Sequence, residues 1–184
     1  MKQMNLFQNS KDINARTIHG GARTKGRRKT KRPLSTKHAL HLVLKSKKAT
    51  GQYSFFKHQR AIHQILSKYG KRYGVQIKDS VNMGNHIHLK IKITDRKYFQ
   101  NFLRTITALI ARKVTGAAKT KRFGKFWDAL AFTRVVKTSY EELQLKGYFK
   151  SNREQKNKSY QAREEFLRQF NSWLHGIKRQ SQES

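Results

Sequence analysis

The sequence contains no cysteine and a single proline, Pro33. Disulfides, thiolate metal ligands and cysteine nucleophiles are therefore excluded. Acidic residues are scarce as well: 10 Asp+Glu stand against 42 Lys+Arg, a formal net charge of +32 on 184 residues. A chain so charged repels itself unless a polyanion neutralises it, and nucleic acid is the first candidate. An anionic membrane surface competes for that role, but no anchoring segment accompanies the basic cluster. No apolar run approaches the roughly 18 residues a membrane span requires, and Met1–Ser10 lacks the apolar stretch of a secretory signal. A cytoplasmic location is expected. What the chain does have is 36% hydrophobic and 11% aromatic residues, enough to build the core of one domain.

Residues 1–33 carry few large apolar side chains and no clear period. Within them the glycine-punctuated run 20–32 holds Arg23, Lys25, Arg27, Arg28, Lys29, Lys31 and Arg32. This reads as a flexible basic arm that orders on DNA and contacts phosphates. Regular structure is expected after Pro33. Leu40, Leu42 and Leu44 alternate with His41, Val43 and Lys45 as in a strand. Ile62, Ile65, Leu66, Tyr69 and Tyr73 follow at helical spacing, with Gly70 and Gly74 at the exit. Val75, Ile77, Val81 and Met83 share one parity and suggest a second strand, interrupted by Asp79. Met83-Gly84-Asn85 marks a turn before a third strand, His86–Ile93. Phe99, Phe102, Leu103, Ile106, Leu109 and Ile110 form a helical stripe, capped by Thr94 or Asp95 and stopped by Gly116.

Trp127–Val136 reads as a fourth strand, and Ser139 with Glu142 as a capping box opening a third helix. Phe166, Leu167, Phe170, Trp173, Leu174 and Ile177 give a last amphipathic helix. The order β-α-β-β-α-β-α predicts an α+β, ferredoxin-like antiparallel sheet with helices on one face, followed by a C-terminal helix. The expected organisation is an arm (1–33), one catalytic domain (34–155) and an extension (156–184).

The segment His86-Ile87-His88-Leu89-Lys90-Ile91-Lys92-Ile93 alternates more cleanly than any other. Ile87, Leu89, Ile91 and Ile93 enter the core, while His86, His88, Lys90 and Lys92 share the opposite face. Two imidazoles two residues apart on one strand face are close enough to reach a single ion. The competing reading is an ordinary polar sheet face, since two ligands do not make a metal site. His38 with His41, and His58 with His63, lack a spacing that would pair them.

Gln144, Tyr148 and Asn152 fall at i, i+4 and i+8 on the third helix and form one stripe. A half-buried tyrosine with its hydroxyl in water explains Tyr148 equally well from spacing alone. Tyr69 and Tyr73 belong to an apolar stripe, Tyr140 sits in a first turn, and Tyr53, Tyr98 and Tyr160 have no polar constellation beside them.

Together these segments carry a family resemblance. Asn82-Met83-Gly84-Asn85-His86-Ile87-His88-Leu89 resembles the histidine–hydrophobe–histidine motif of the single-tyrosine, IS200-like transposases, and more closely that of their REP-associated branch. Gly147-Tyr148-Phe149-Lys150-Ser151-Asn152 is similar to that branch's tyrosine helix motif. Phe123-Gly124-Lys125-Phe126-Trp127 is similar to its Gly-x-x-Trp segment. The match covers roughly residues 33–155. Arg153 stands where the family has proline, Gly84 where it usually has proline, and Gly147 precedes the tyrosine.

The resemblance implies the HUH endonuclease fold and a bacterial, nucleoid-associated enzyme that cleaves and rejoins single-stranded DNA beside hairpins. In that scheme His86 and His88 hold Mg²⁺ or Mn²⁺, with Asn152 as third ligand and Gln144 as second choice. Tyr148 attacks phosphorus to give a 5′-phosphotyrosine. Lys90, Lys92 and the basic arm contact DNA, Phe126 or Trp127 stack on bases or fill the core, and the protein works as a monomer or homodimer. A regulator of the same fold that binds DNA or RNA without chemistry is the alternative. A rolling-circle initiator or relaxase is a further one, disfavoured by the short chain. A ribosomal-type basic protein would fit the charge but leaves the histidine and tyrosine motifs unexplained.

Overall fold

The computed structural model describes residues 17–21 and 31–180. Five strands are present: β1 (Ile18–His19), β2 (Ala39–Lys45), β3 (Val75–Asn82), β4 (His86–Ile93) and β5 (Phe132–Val136). Three α-helices accompany them: α1 (Gln59–Arg72), α2 (Arg96–Thr115) and α3 (Ser139–Gln180). The strands form one antiparallel sheet in the order β1-β5-β2-β4-β3. Leaving β1 aside, the sequence β2-α1-β3-β4-α2-β5 is the expected ferredoxin-like double split βαβ.

Alternation builds the main core. Leu40, Leu42 and Leu44 of β2 and Ile87, Leu89, Ile91 and Ile93 of β4 are fully buried on one sheet face. They pack with Ile62 and Leu66 of α1 and with Phe99, Phe102, Ile106 and Ile110 of α2. Asp95 caps α2 by accepting from the Lys97 amide, and Gly116 ends it in the left-handed conformation. The opposite sheet face carries a smaller cluster, Val81 and Val136 with Leu145 and Phe149 from the first turns of α3.

Several boundaries differ from the sequence expectation. The parity shared by Val75, Ile77, Val81 and Met83 breaks at a register shift between Ile77 and Asp79. The extra residue moves the strand out of phase. Val75 and Ile77 therefore face the main core, whereas Val81 and Met83 join the cluster on the other face. The fourth strand begins at Phe132 and not at Trp127. Ahead of it, Phe126 is buried and Trp127 donates its indole N–H to the Thr107 carbonyl at 3.1 Å, so both rings pack with the core. The capping box lies one residue earlier than expected. Thr138 Oγ1 accepts from the Glu141 amide, and Glu141 Oε2 accepts from the Thr138 amide. Glu142 is diverted to Lys90 instead.

The last two predicted helices are one continuous helix, α3. The chain divides into two compact units, Met1–Phe149 and Lys150–Ser184. In the second, Gln169 donates to Glu165 one turn earlier at 3.0 Å. The apolar stripe expected from Phe166 to Ile177 lies on side chains outside those described.

The β3–β4 turn explains the glycine that replaces proline. Gly84 has φ +85°, which the proline ring, fixed near −65°, forbids. Its amide bonds Asn82 Oδ1 at 3.0 Å and its carbonyl accepts from the Phe55 amide at 2.7 Å. A Cβ there would also lie 2.9 Å from Phe56 Cε2, a ring edge that is exposed enough to give way. Gly84→Ala is expected to cost about 1–2 kcal/mol, mainly for the left-handed backbone. Gly147 is the opposite case, because its Cβ would meet nothing within 4 Å of an exposed helix position. Gly147→Ala is expected to stabilise by about 1 kcal/mol. Thermal unfolding of the two variants, followed by circular dichroism, should move the midpoint in opposite directions.

Candidate active site

The residues of interest lie on the sheet face that receives the start of α3. His41 of β2, His86 and His88 of β4 and Arg134 of β5 all point there, opposite the main core. Across the strands, His88 registers with Val43, His86 with Lys45, and His41 with both Lys90 and Arg134. The first turns of α3 cover this face through Leu145 and Phe149, and Tyr148 packs beside them.

The covering makes the histidines dry. His41, His88 and His86 are only 2%, 3% and 7% exposed. Burial pushes the His41 imidazolium down to about 3, aided by the Arg134 charge. It pushes His86 down to about 4, aided by Lys45. His88 is driven well below its ordinary value by burial, then by His41, His86 and Lys45. All three rings are neutral at physiological pH.

Their nitrogens are specifically arranged. His88 Nδ1 lies 3.1 Å from His41 Nε2, and its Nε2 lies 3.4 Å from the Tyr148 hydroxyl. His86 Nδ1 lies 2.6 Å from Asn85 Oδ1. The His86 and His88 ring centres are 4.8 Å apart, and those of His88 and Tyr148 are 5.1 Å apart, both edge to face. The helix tyrosine and the strand histidines therefore converge. Gln144 is exposed on α3. Asn152 belongs to the second unit; it is buried, and its Nδ2 has no hydrogen-bond partner among the described residues.

Two acidic residues tie α3 to this face. Glu141 bonds Arg134 Nη2 at 2.7 Å while accepting from the Lys137 and Thr138 amides. Its partial burial alone would raise the carboxyl pKa, but the backbone amides and the Arg134 guanidinium hold it below the ordinary value. Glu142 is lowered too, by its hydrogen bond and charge pairing with Lys90. Arg134 is itself buried.

The expected DNA contacts fare unevenly. Lys92 is exposed, whereas Lys90 is mostly buried and paired with Glu142. Lys31 is exposed. Arg32 instead donates through Nη1 to the Ala131 carbonyl at 2.9 Å and to Thr133 Oγ1 at 2.7 Å, and desolvation lowers its pKa to about 10. It fastens the end of the expected arm to β5. Ile18 and His19 also pair with β5, so this edge receives two stretches of the region read as an arm. Arg23, Lys25, Arg27, Arg28 and Lys29 lie outside the described residues.

Sequence reasoning passed over four residues that surround the histidine pair: His41, Lys45, Asn85 and Arg134. The strand parity of β2 already placed His41 and Lys45 on the histidine face. What it could not supply was the register that sets β2 beside β4.

Among the described residues, no group of three or more His, Cys, Asp or Glu is arranged to hold a metal. The donor set nevertheless fits one in part. Two neutral imidazoles sit side by side, and ligating histidine must be neutral. An ion there would need amide, water or substrate oxygens to complete its shell. No described helix is long and apolar enough to cross a membrane.

No curated protein matches the chain. A candidate transposase from Deinococcus radiodurans R1, whose crystal structure is known, is similar at 16% identity and a TM-score of 0.42. The similarity covers 68% of this chain and 98% of that one. At that level the likeness adds nothing to the assignment, which rests on sequence. Residues 35–152 match the family model described as "Transposase IS200 like", a span that contains His86, His88 and Tyr148. The chain belongs to the IS200-like transposase family.

Proposed function

We propose that the protein cleaves and rejoins single-stranded DNA through a covalent link to Tyr148. The observation that carries the reading is the meeting of the Tyr148 hydroxyl with His88 Nε2 at 3.4 Å, between a strand and a later helix. Tyr148 Oη attacks phosphorus, the bond from phosphorus to the 3′ oxygen breaks, and the tyrosine proton is given up as the 3′ oxygen acquires one. The 5′-phosphotyrosine keeps the energy of the broken bond, so a second 3′-hydroxyl can reverse the step without ATP. A neutral phenol is a poor nucleophile, so its proton must be taken up as it attacks.

His86 and His88 are the proposed ligands of Mg²⁺ or Mn²⁺, with Asn152 as third ligand on its helical spacing from Tyr148 and Gln144 as second choice. When bound, such an ion polarises the phosphate and offsets the charge of the transition state. The residues themselves orient the phosphate and exclude water beneath α3. Lys45 and Lys92, exposed on the strands that carry the histidines, attract the DNA backbone. The basic run at 22–30 extends that field and is the proposed grip on a hairpin stem. A REP-type hairpin is the proposed substrate by family resemblance.

Incubation with labelled hairpin DNA and Mn²⁺ should yield a protein–DNA band that survives denaturation. Tyr148→Phe should abolish that band while leaving binding nearly unchanged; a surviving adduct would remove Tyr148 from the chemistry. Binding without any adduct in the wild type would leave a DNA-binding protein that performs no cleavage. Replacing His86 and His88 with alanine, or adding EDTA, should stop cleavage, and unaffected cleavage in EDTA would dismiss the ion. Deleting 22–30, which spares Arg32 and its bonds to β5, should flatten the dependence of log binding constant on log salt. Each lost phosphate contact is worth about 0.7–0.9 in that slope.

A further inference from the structure

Among the described residues, His41 is a buried histidine that the proposed chemistry does not use. Four aromatic rings pack around it, between the cations Lys90 and Arg134 on the flanking strands. Phe132, Tyr148 and Phe149 meet it edge to face, with ring centres 6.0, 6.2 and 5.8 Å away, and His88 stacks on it at 5.3 Å. Its Nδ1 has no hydrogen-bond partner among the described residues. A phenylalanine would satisfy that packing without burying an unpaired nitrogen. The hydrogen bond that remains is the one between His41 Nε2 and His88 Nδ1.

A neutral imidazole carries one proton and one lone pair, so a partner at one nitrogen fixes the state of the other. Two arrangements satisfy the 3.1 Å contact. In the first, His41 donates, His88 is protonated at Nε2, and the Tyr148 hydroxyl meets an N–H. In the second, His88 donates from Nδ1 to His41 Nε2, and Tyr148 meets the Nε2 lone pair. Only the second allows His88 either to hold an ion or to accept the tyrosine proton. The neighbouring histidine shows the same pattern. Asn85 Oδ1 is an acceptor, so His86 must donate from Nδ1 to it, which leaves the lone pair on its Nε2.

We propose that His41 is a positioning residue: by accepting the Nδ1–H of His88, it holds the Nε2 lone pair of that ring toward the Tyr148 hydroxyl. Asn85 performs the matching service for His86. The inference rests on the proposed DNA-cleaving reading for its purpose, but its structural content can be measured without DNA or metal.

The test uses the full chain labelled with ¹⁵N in histidine. Long-range ¹H–¹⁵N correlation spectra report which nitrogen of each ring is protonated. In the metal-free wild type, His88 is expected as the Nδ1–H form. In His41→Phe, which keeps the ring volume, that form should give way to Nε2–H or a mixture. His41→Gln, whose Oε1 replaces Nε2 as acceptor, should restore it. Mn²⁺ affinity, read from the resonance of free Mn²⁺, should fall about 10- to 100-fold in His41→Phe and recover in the glutamine variant.

Finding wild-type His88 protonated at Nε2 would overturn the proposal. So would a folded His41→Phe variant that binds Mn²⁺ as the wild type does. Should His41→Phe fail to fold, the wild-type and glutamine spectra still decide. Absence of both Mn²⁺ binding and a covalent adduct in the wild type would refute the cleavage reading, while the tautomer spectrum would continue to judge His41.

Discussion

The burial of His41, His86 and His88 under the first turns of α3 is the constraint on which the rest of the site depends. In so basic a protein an exposed histidine would gain nothing from further charge, and a buried one cannot carry it. Desolvation and the nearby cations act in the same direction, and both keep the rings neutral. Neutrality is what makes the arrangement useful, since only an uncharged imidazole has a lone pair to offer a proton or an ion. Burial also selects the hydrogen bonds. His86 meets Asn85, and His88 meets both His41 and Tyr148. A polar sheet face of the ordinary kind would have left these rings in solvent with no fixed orientation.

Burial in turn needs α3 to stay where it is, and the scarce acidic residues bear on that. Two of the 10 in the chain, Glu141 and Glu142, are adjacent in the first turn of α3 and reach different strands. Glu141 is tied to β5 through Arg134 and caps its own helix with the same carboxylate. Glu142 is tied to β4 through Lys90. Isolated surface ion pairs contribute little. Here Lys90 and Arg134 are largely shielded, and each would be a buried charge without its glutamate. Both pairs lie within about two turns of Tyr148 on α3. Two of the cations on this face are thereby engaged in holding the helix.

The fold was legible wherever a period was uninterrupted. The β2 and β4 alternations and the α1 and α2 stripes specified both the elements and the core they build, and hence the ferredoxin-like order. The places that were not legible share a physical cause, which is competition between local signals. In β3 a single extra residue sends Val81 and Val75 to opposite faces, and parity counting cannot see a bulge. At the start of α3, Thr138–Glu141 and Ser139–Glu142 match the same capping pattern one residue apart. Lys90, distant in sequence, decides between them by claiming Glu142. Trp127 resembled a strand residue because it is apolar, but its indole N–H needed a carbonyl and found Thr107 on α2.

The site divides along the same line. His86, His88 and Tyr148 were found because each sits in a motif contiguous in sequence. His41 stands in no such motif, and its spacing of three from His38 puts the two on opposite strand faces. Its partner is instead 47 residues distant, on the adjacent strand. Register supplies this information. β2 and β4 align Val43 with His88, which puts His41 on the diagonal of His88 and on the same face. Arg32 follows the same rule in the opposite sense. Its neighbours in sequence mark it as part of a DNA-binding run, yet a carbonyl and a hydroxyl on β5 satisfy its guanidinium. Charge composition identifies the kind of partner such a chain has, but burial and register decide which cations remain to meet it.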